Sequence, residues 1–394
     1  MSTLVIAYDL PPAPNAGARR LEEIVGQARE AIKGRIVVLG PRGSTLRSNV
    51  EFIPFGVPLP AAGEAPWIRL AREARLALWL SRHVRWSRYD RAIMSSPLFV
   101  PTVAVAAVCR RRKIAYFLDV RDPYPTTFVE AGLIRRNGLI HLALLRAVTR
   151  LYSGARIITA ATKGLAQEIR PYSGDTPVYT ARNGHNGTQV STTNSPRNRD
   201  GRFRVFCHGN FGAFQDLDVL TGLIEGVVQR TDHVDFSLVG RGAGRQILEK
   251  WVDDGFRKGR VNVLPPVPPD QLATVLWDAD LGLSIRGGDW ISRNAFPVRI
   301  TDYLELGIPV LVSPHSEAGQ LVNRLGVGAC FPNAQVREMV EYVVDMSQRG
   351  EAYLSARAEA DRWGPCFARS RTMRRIRCYL RKAFESDGAG GALR

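Results

Sequence analysis

The sequence predicts an α/β protein made of two doubly wound domains. Short apolar runs rich in Val, Ile and Phe alternate with longer helical patterns along the whole chain, as in successive β-α-β units of parallel sheets. The alternation is interrupted at "NGHNGTQVSTTNSPRNRDG", 183–201, a polar stretch rich in Gly, Asn and Ser that reads as an interdomain linker. At 394 residues the chain also exceeds what one ordinary core organises.

The first half offers seven strands in order: "LVIAYD", "RIVVLG", "VEFIPFG", "DRAIMSS", "IAYFLDV", "RIITAAT" and "PVYTARNG". The second half offers six: "FRVFCHGN", "DFSLVGRG", "VNVLPPV", "LGLSIR", "IPVLVS" and "GACFPN". The expected organisation is a first domain over 1–182, the linker, and a second domain over 202–364. Ligands of such sheets bind at the carboxyl ends of the strands, so a site is expected between the domains, where both sets of loops meet.

Composition narrows the function classes. No run approaches the ~20 uncharged residues of a membrane span. The N-terminal "STLVIAYDL" lacks a basic lead and meets Asp9 at once, so it reads as a first strand rather than a signal peptide, and a cytoplasmic location is expected. Cysteines at 109, 207, 330, 366 and 378 show no CxxC and no metal spacing, which fits reduced thiols. "DLD" (216–218) and "DAD" (278–280) fall at helix boundaries, where a cap or surface role is expected, so no obligatory metal is predicted.

The formal charge of +17 is unevenly placed. Residues 1–182 hold 27 Lys/Arg against 13 Asp/Glu, whereas 183–364 hold 19 against 22. "FARSRTMRRIRCYLRK", 367–382, contains no acid. In "PWIRLAREARLALWLSRHVRWSRY", 66–89, a helical wheel puts Leu76, Leu80 and Val84 on one side. Trp79 and Trp86 fall near Arg72, Arg75 and Arg82, a mixture that suits a bilayer interface; the alternative is core tryptophans under a solvated basic rim. Nucleic acid is the rival partner for such charge, but no nucleic-acid module accompanies it and none is expected.

In the second half, "VFCHGNFGAFQD" is a strand followed by Gly209, Asn210, Phe211 and Gly212, then a helix capped by Asp216. Such a turn lets backbone amides approach an anion at a helix N-terminus, or is only a tight turn. "LVGRGAG" repeats the pattern at Gly240, Gly242 and Gly244, with the plain turn favoured. In "NAFPVRITDYLELGIPVLV", 294–312, Pro297 starts a helix whose first turn carries Arg299, a cation opposed by the helix dipole unless an anion sits nearby. Asp302, on the same face, is placed to accept from ribose hydroxyls. The alternative readings are a surface Arg299 paired with Glu305 or Asp302, and a solvated acid at 302. In the first half, "FLDVRDPYP" ends a strand with Asp119, Arg121 and Asp122, where a carboxylate orients or deprotonates a hydroxyl. An Arg121–Asp122 structural pair is the alternative there.

Taken together, "GNFG", "LVGRG", "VNVLPPV", "DADLGLS" and "FPVRITDYLELGIPVLVS" resemble the nucleotide-sugar-binding half of glycosyltransferase family 4. In particular they resemble the bacterial O-antigen, capsule and exopolysaccharide branch, which carries a "P-S-K-x-x-E-Y-x-A-x-G-x-P-V" segment. "YDLPPAPNAGARR" and "LDVRDPYPTTFVEAG" extend the resemblance to the first half. It implies a GT-B fold, with two Rossmann-like domains facing across a cleft. A C-terminal helix (365–385) would return to the first domain, followed by a flexible tail (386–394). It implies sugar transfer from a nucleoside-diphosphate sugar, with retention and without a metal, to a lipid-linked or small-molecule acceptor. The basic first domain is expected to dock on the inner face of the membrane.

Site residues follow from the same resemblance. Arg299, in place of the Lys of "PSK", would hold the diphosphate with the amides of 209–212. The family's paired glutamates fall on Asn294 and Asp302, for donor sugar and ribose. Asp122, preferred to Asp119, would serve the acceptor or the reacting centre. Asn15 and Gly17 would form a close-approach loop beside Arg121, and one of Arg19 and Arg20 is expected to be surface only. The family's Arg and Lys after the first turn are absent, with Asn210 and Gln215 there instead. A sugar-nucleotide 2-epimerase and a non-catalytic nucleotide-sugar-binding subunit are the alternatives.

Overall fold

A computed structural model describes residues 1–385 except 14, 62–63, 97, 188–199, 213, 254–258 and 269. Most of the expected linker and the tail at 386–394 therefore lie outside the described residues. The chain forms two compact units, Met1–Asn183 with Thr372–Arg394, and Gly184–Arg371.

The first unit contains strands β1 (Ser2–Ile6), β2 (Arg35–Gly40), β3 (Glu51–Pro54), β4 (Arg91–Ser95), β5 (Ala115–Val120), β6 (Ile157–Ala160) and β7 (Val178–Thr180). They pair in parallel in the order β3-β2-β1-β4-β5-β6-β7. Both sheet faces are buried, which explains why the strands read as continuous apolar runs. Along β1, Leu4 and Ile6 join a core with Leu76, Leu80, Phe99 and Val148. Val5 and Ala7 face the opposite core, with Leu21, Ile24 and Val25.

Helix Arg374–Glu385 belongs to this unit although it comes last in the chain. It places Ile376, Leu380, Ala383 and Phe384 at helical spacing against helix Ala16–Ala31 and the sheet. Arg377 reaches back to Gln27 and Glu30, and the Arg91 guanidinium lies 5.6 Å from the centre of the Phe384 ring. The acid-free run 374–382 within this helix thus serves an amphipathic anchor with one basic face.

In the second unit, β8 (Phe203–Asn210), β9 (Val234–Arg241), β10 (Val261–Leu264), β11 (Leu281–Ile285), β12 (Val310–Ser313) and β13 (Gly328–Cys330) form a parallel sheet. Their order is β10-β9-β8-β11-β12-β13. Helices Leu217–Arg230 and Val336–Ser347 cover one face, and Val298–Glu305 and Glu317–Leu325 the other. In each sheet the strand order reverses once, between β1 and β4 and between β8 and β11. Helices leave in opposite directions at such a point and open a crevice beyond the carboxyl ends of the strands.

The tryptophans of the 66–89 segment correct an expectation. The helix ends at His83, and Trp86 sits in a separate 3-10 turn, 3% exposed, donating from Nε1 to Leu80 O at 3.1 Å. Trp79 packs on Phe55 and His83. Trp86 is a core residue, since the wheel that placed it near arginines assumed one unbroken helix, and Trp79 is partly buried against the same core. The two Asp-x-Asp sequences are structural: Asp216 caps Leu217–Arg230 through Val219 N, Asp278 pairs with Arg204, and Asp280 accepts from Tyr353 and Arg349.

Candidate functional site

The reversal point of the second sheet gathers most of the predicted donor residues. β8 ends in Gly209 and Asn210, and Gly209 has φ +123°, a conformation open to glycine. A Cβ there would lie 2.8 Å from Arg299 Nη2, so the missing side chain makes room for that guanidinium. Arg299 comes from helix Val298–Glu305, held to β8 by Tyr303, whose hydroxyl donates to Phe206 O at 2.9 Å and accepts from His208 N at 3.2 Å. Arg299 also donates from Nη1 to Cys207 Sγ at 3.7 Å. Glu305 pairs instead with His185, and among the described residues Arg299 makes no ion pair.

Asp302 lies one turn along, 3.8 Å from His208 Nε2. His208 is buried and its Nε2 lacks a hydrogen-bond partner among the described residues. Burial, then the charge of Arg299, bring its pKa down to about 3, against a backbone hydrogen bond to Arg299 that acts the other way, so the ring is neutral near pH 7. Burial likewise raises the Cys207 thiol, with Arg299 opposing.

Sequence reasoning missed Arg286. It follows β11, the strand beside β8, and no local motif marks it. Its amide donates to Ser313 O at 2.8 Å, its carbonyl accepts from Asn333 Nδ2 at 2.8 Å, and its guanidinium lies 5.7 Å from the Phe214 ring centre. Its Nε has no hydrogen-bond partner among the described residues. Burial and the neighbouring Arg299 bring its pKa down to about 10, with Asp289 opposing. Two guanidinium groups that feel one another's charge, one of them with an orphaned N–H, and a neutral imidazole thus gather at this end of the sheet, a chemistry that suits an anion.

Three predicted donor residues need restating. Phe211 is fully buried in the core and its amide is already bonded to Arg241 O at 2.7 Å, so it packs the turn instead of lining it. Gly240 is required by packing, since a Cβ would fall 2.0 Å from Gly209 O. Asn294 donates from Nδ2 to Trp290 O at 2.9 Å, within its own short helix Trp290–Asn294. Asn210 is exposed, and its side chain lies beside both Gly212 and Gly242.

The first unit carries its own cluster beyond β1 and β5. Asn15 caps helix Ala16–Ala31, accepting from Ala18 N at 2.8 Å, and donates to Asp9 Oδ1 at 3.5 Å. Asp9 Oδ2 accepts from Arg121 Nη1 at 3.2 Å. A Cβ on Gly17 would lie 2.3 Å from that nitrogen, so Arg121 seats on the helix only because residue 17 is glycine. Asn15, Gly17 and Arg121 are therefore brought together, with Asp9 as the unpredicted centre. Asp122 is half-buried beside them; burial raises its carboxyl, and Arg121 and Arg69 offset this only in part.

Asp119 and Arg20 form a different kind of pair, both with 0% side-chain exposure. Arg20 donates from Nε at 2.8 Å and from Nη2 at 2.6 Å, a two-pronged contact, and also reaches Ala181 O at 2.8 Å. Thr159 and Ser95 complete the carboxylate's shell. Burial alone would raise the Asp119 carboxyl, but the charge and hydrogen bonds of Arg20, with Thr159, hold it below the usual range. Neither arginine at 19 and 20 is merely on the surface, for Arg19 is half-buried and Arg20 is a core residue.

No protein-family model matches the chain, and no curated protein matches its sequence. Solved structures do match its fold. Sucrose-phosphate synthase from Thermosynechococcus elongatus aligns over 99% of this chain and 100% of its own, with TM-score 0.71 and 12% identity. Anabaena HepE in complex with UDP aligns over 98% and 100%, with TM-score 0.70 and 16% identity. WaaG, a glycosyltransferase involved in lipopolysaccharide biosynthesis, aligns over 95% and 98%, with TM-score 0.67 and 12% identity.

The fold is GT-B. Near-complete coverage of both chains fits two Rossmann-like units of seven and six parallel strands, as expected from the sequence. At these identities the likeness establishes the GT-B fold alone, and the chemistry rests on the residues above.

Proposed function

We propose that the protein is a glycosyltransferase related to family 4, moving a sugar from a nucleoside-diphosphate sugar to an acceptor hydroxyl with retention. The observation that carries this is the pair Arg299 and Arg286 at the reversal point of the second sheet, beside Gly209. Two cations near enough to feel one another's charge, at a turn whose glycine makes room for the Arg299 guanidinium, suit a diphosphate better than any partner in the chain. HepE, similar in fold, has been solved with UDP and with UDP-glucose, which supports a nucleotide-sugar donor.

In this reading the bond from the anomeric carbon to the diphosphate oxygen breaks while the acceptor oxygen bonds on the same face. The acceptor proton passes to the departing phosphate, whose charge Arg299 and Arg286 stabilise. Asp302 reads the ribose, Asn294 the donor sugar through its amide oxygen, and Asp122 orients the acceptor hydroxyl. No metal is needed, since the two arginines supply the countercharge. The acceptor is a polyprenyl-diphosphate-linked glycan in polysaccharide or glycolipid assembly at the inner leaflet.

The test is incubation with a panel of nucleotide sugars, with and without membrane lipid extract. A glycosylated lipid is expected. An epimerised donor would replace the reading with a sugar-nucleotide epimerase. Binding without turnover would favour a non-catalytic subunit, a reading supported by the commitment of the Asn294 amide nitrogen to Trp290.

A further inference from the structure

The Arg286 guanidinium has little of its own to fix it. Its Nε lacks a hydrogen-bond partner among the described residues, none of the ion pairs there involves it, and its head group lies beside the Phe214 ring, 5.7 Å from the centre. Burial and then the charge of Arg299 disfavour the cation at this place, so the ligand-free guanidinium gains by swinging away. The placement of the charge therefore rests on the backbone of 286 and 287. That backbone is held at three points. The Arg286 amide donates to Ser313 O at 2.8 Å, the Gly287 amide donates to Phe214 O at 3.0 Å, and the Arg286 carbonyl accepts from Asn333 Nδ2 at 2.8 Å.

The first of these continues the pairing of β11 with β12, and the second is a loop contact. The third is a side chain from beyond β13, the edge strand of the sheet. Asn333 gives the second hydrogen of Nδ2 to Asp216 Oδ2 at 2.7 Å, and its Oδ1 accepts from Ser313 Oγ at 2.6 Å. Asp216 turns its other oxygen to Val219 N, capping helix Leu217–Arg230, and Ser313 is the fully buried last residue of β12. One carboxamide thus joins the ends of β11 and β12 to the start of that helix, with both donors and its acceptor in use. Its orientation follows from the partners. Turned over, its oxygen would face the Asp216 carboxylate and the Arg286 carbonyl, neither of which has a hydrogen to give. An asparagine shortly before a helix ordinarily caps it. Here helix Val336–Ser347 starts from Gln335 without a side-chain cap, and Asn333 serves the other loops instead.

We propose that Asn333 is a positioning residue for the donor site: without touching the ligand, it pins the Arg286 backbone so that this guanidinium stays near Arg299 and meets the diphosphate. The proposal rests on the nucleotide-sugar reading of that site. It adds the residue that keeps two mutually repelling cations near one another before the anion arrives. The plain alternative is a brace that serves only the stability of the second unit, and it makes a different prediction. The Asn333 bond ends on a backbone carbonyl, so a brace acts whatever side chain residue 286 carries, whereas a positioning role needs the guanidinium.

A double-mutant cycle separates the two. The full chain would be titrated with UDP by calorimetry as wild type, Asn333→Ala, Arg286→Met and the double variant, with urea midpoints measured on all four. Asn333→Ala should weaken UDP about 2- to 10-fold, the size of one hydrogen bond, and should add no further loss in the Arg286→Met background. Its effect on the urea midpoint should be the same in both backgrounds, since the bond to the carbonyl of residue 286 is lost in each. Ser313→Ala is the milder variant should Asn333→Ala not fold. It removes the hydrogen bond that steadies the carboxamide, leaves both Asn333 donors in place, and should show a smaller loss with the same dependence on Arg286. An equal loss of affinity in both backgrounds, or none from these variants, overturns the positioning role and leaves the donor site standing. No binding of UDP by the wild type removes the donor reading and the positioning role with it.

Discussion

Replacing Arg20 by methionine should destabilise the first unit by about 3–5 kcal/mol, the usual cost of leaving one partner of a buried ion pair alone. The structure gives the reasons for that magnitude. Both side chains have 0% exposure, so Asp119 cannot recruit water, and the variant also strips Ala181 O of its 2.8 Å bond. Asp119 would keep only Thr159 and Ser95, and its carboxyl would rise and take up a proton. The double variant Arg20→Met/Asp119→Leu removes the stranded charge but leaves Thr159, Ser95 and Ala181 O with lost partners. Its cost should fall to about 1–3 kcal/mol, so it should be more stable than Arg20→Met alone. The contribution has a pH sign. Because the folded carboxyl lies below its ordinary 3.8, the stabilisation is complete above that value and is lost as pH falls through the lower folded value. Hydrogen exchange read on peptides spanning β5 and β6 isolates the first unit from the second. Equal destabilisation in the single and double variants would refute the buried-pair reasoning. A loss under about 1 kcal/mol in Arg20→Met would do the same.

Two further predictions concern the clusters themselves. The unfolded chain protonates His208 near 6.5 whereas the folded chain does so near 3, so this residue should remove stability as pH falls from about 6.5. Its slope reaches about 1.4 kcal/mol per pH unit; His208→Asn should flatten the urea-midpoint profile between pH 7 and 5, and an unchanged profile would refute the assignment. Gly17→Ala places a methyl 2.3 Å from Arg121 Nη1 and should push the guanidinium off Asp9, raising the acceptor KM several-fold with donor affinity unchanged.

All thirteen strands were legible because parallel strands buried on both faces leave unbroken apolar runs. Their ends were less so: "VNVLPPV" stops pairing at Leu264, since Pro265 and Pro266 bring no N–H to the ladder. Arg299 and Asp302 were legible because one helix start carries them both. Arg286 was not, because its meaning arises only when β11 lies beside β8 and a third element brings Arg299 alongside. The pairing of Arg20 was not legible for a similar reason: its partner lies 99 positions away, and an arginine near a helix start looks like any solvated one until the sheet closes over it. Asp9 belongs to the same case, since its pairing with Arg121 joins the ends of β1 and β5.

The central claim is that Arg299 and Arg286 hold a nucleoside diphosphate at the reversal point of the second sheet. Calorimetric titration of the full chain with nucleoside diphosphates, in wild type, Arg299→Ala and Arg286→Met, tests it most directly. Each variant should weaken binding about 10- to 100-fold, as expected for one charged hydrogen-bonding contact. Absence of binding by the wild type, or unchanged affinity in Arg299→Ala, would contradict the account.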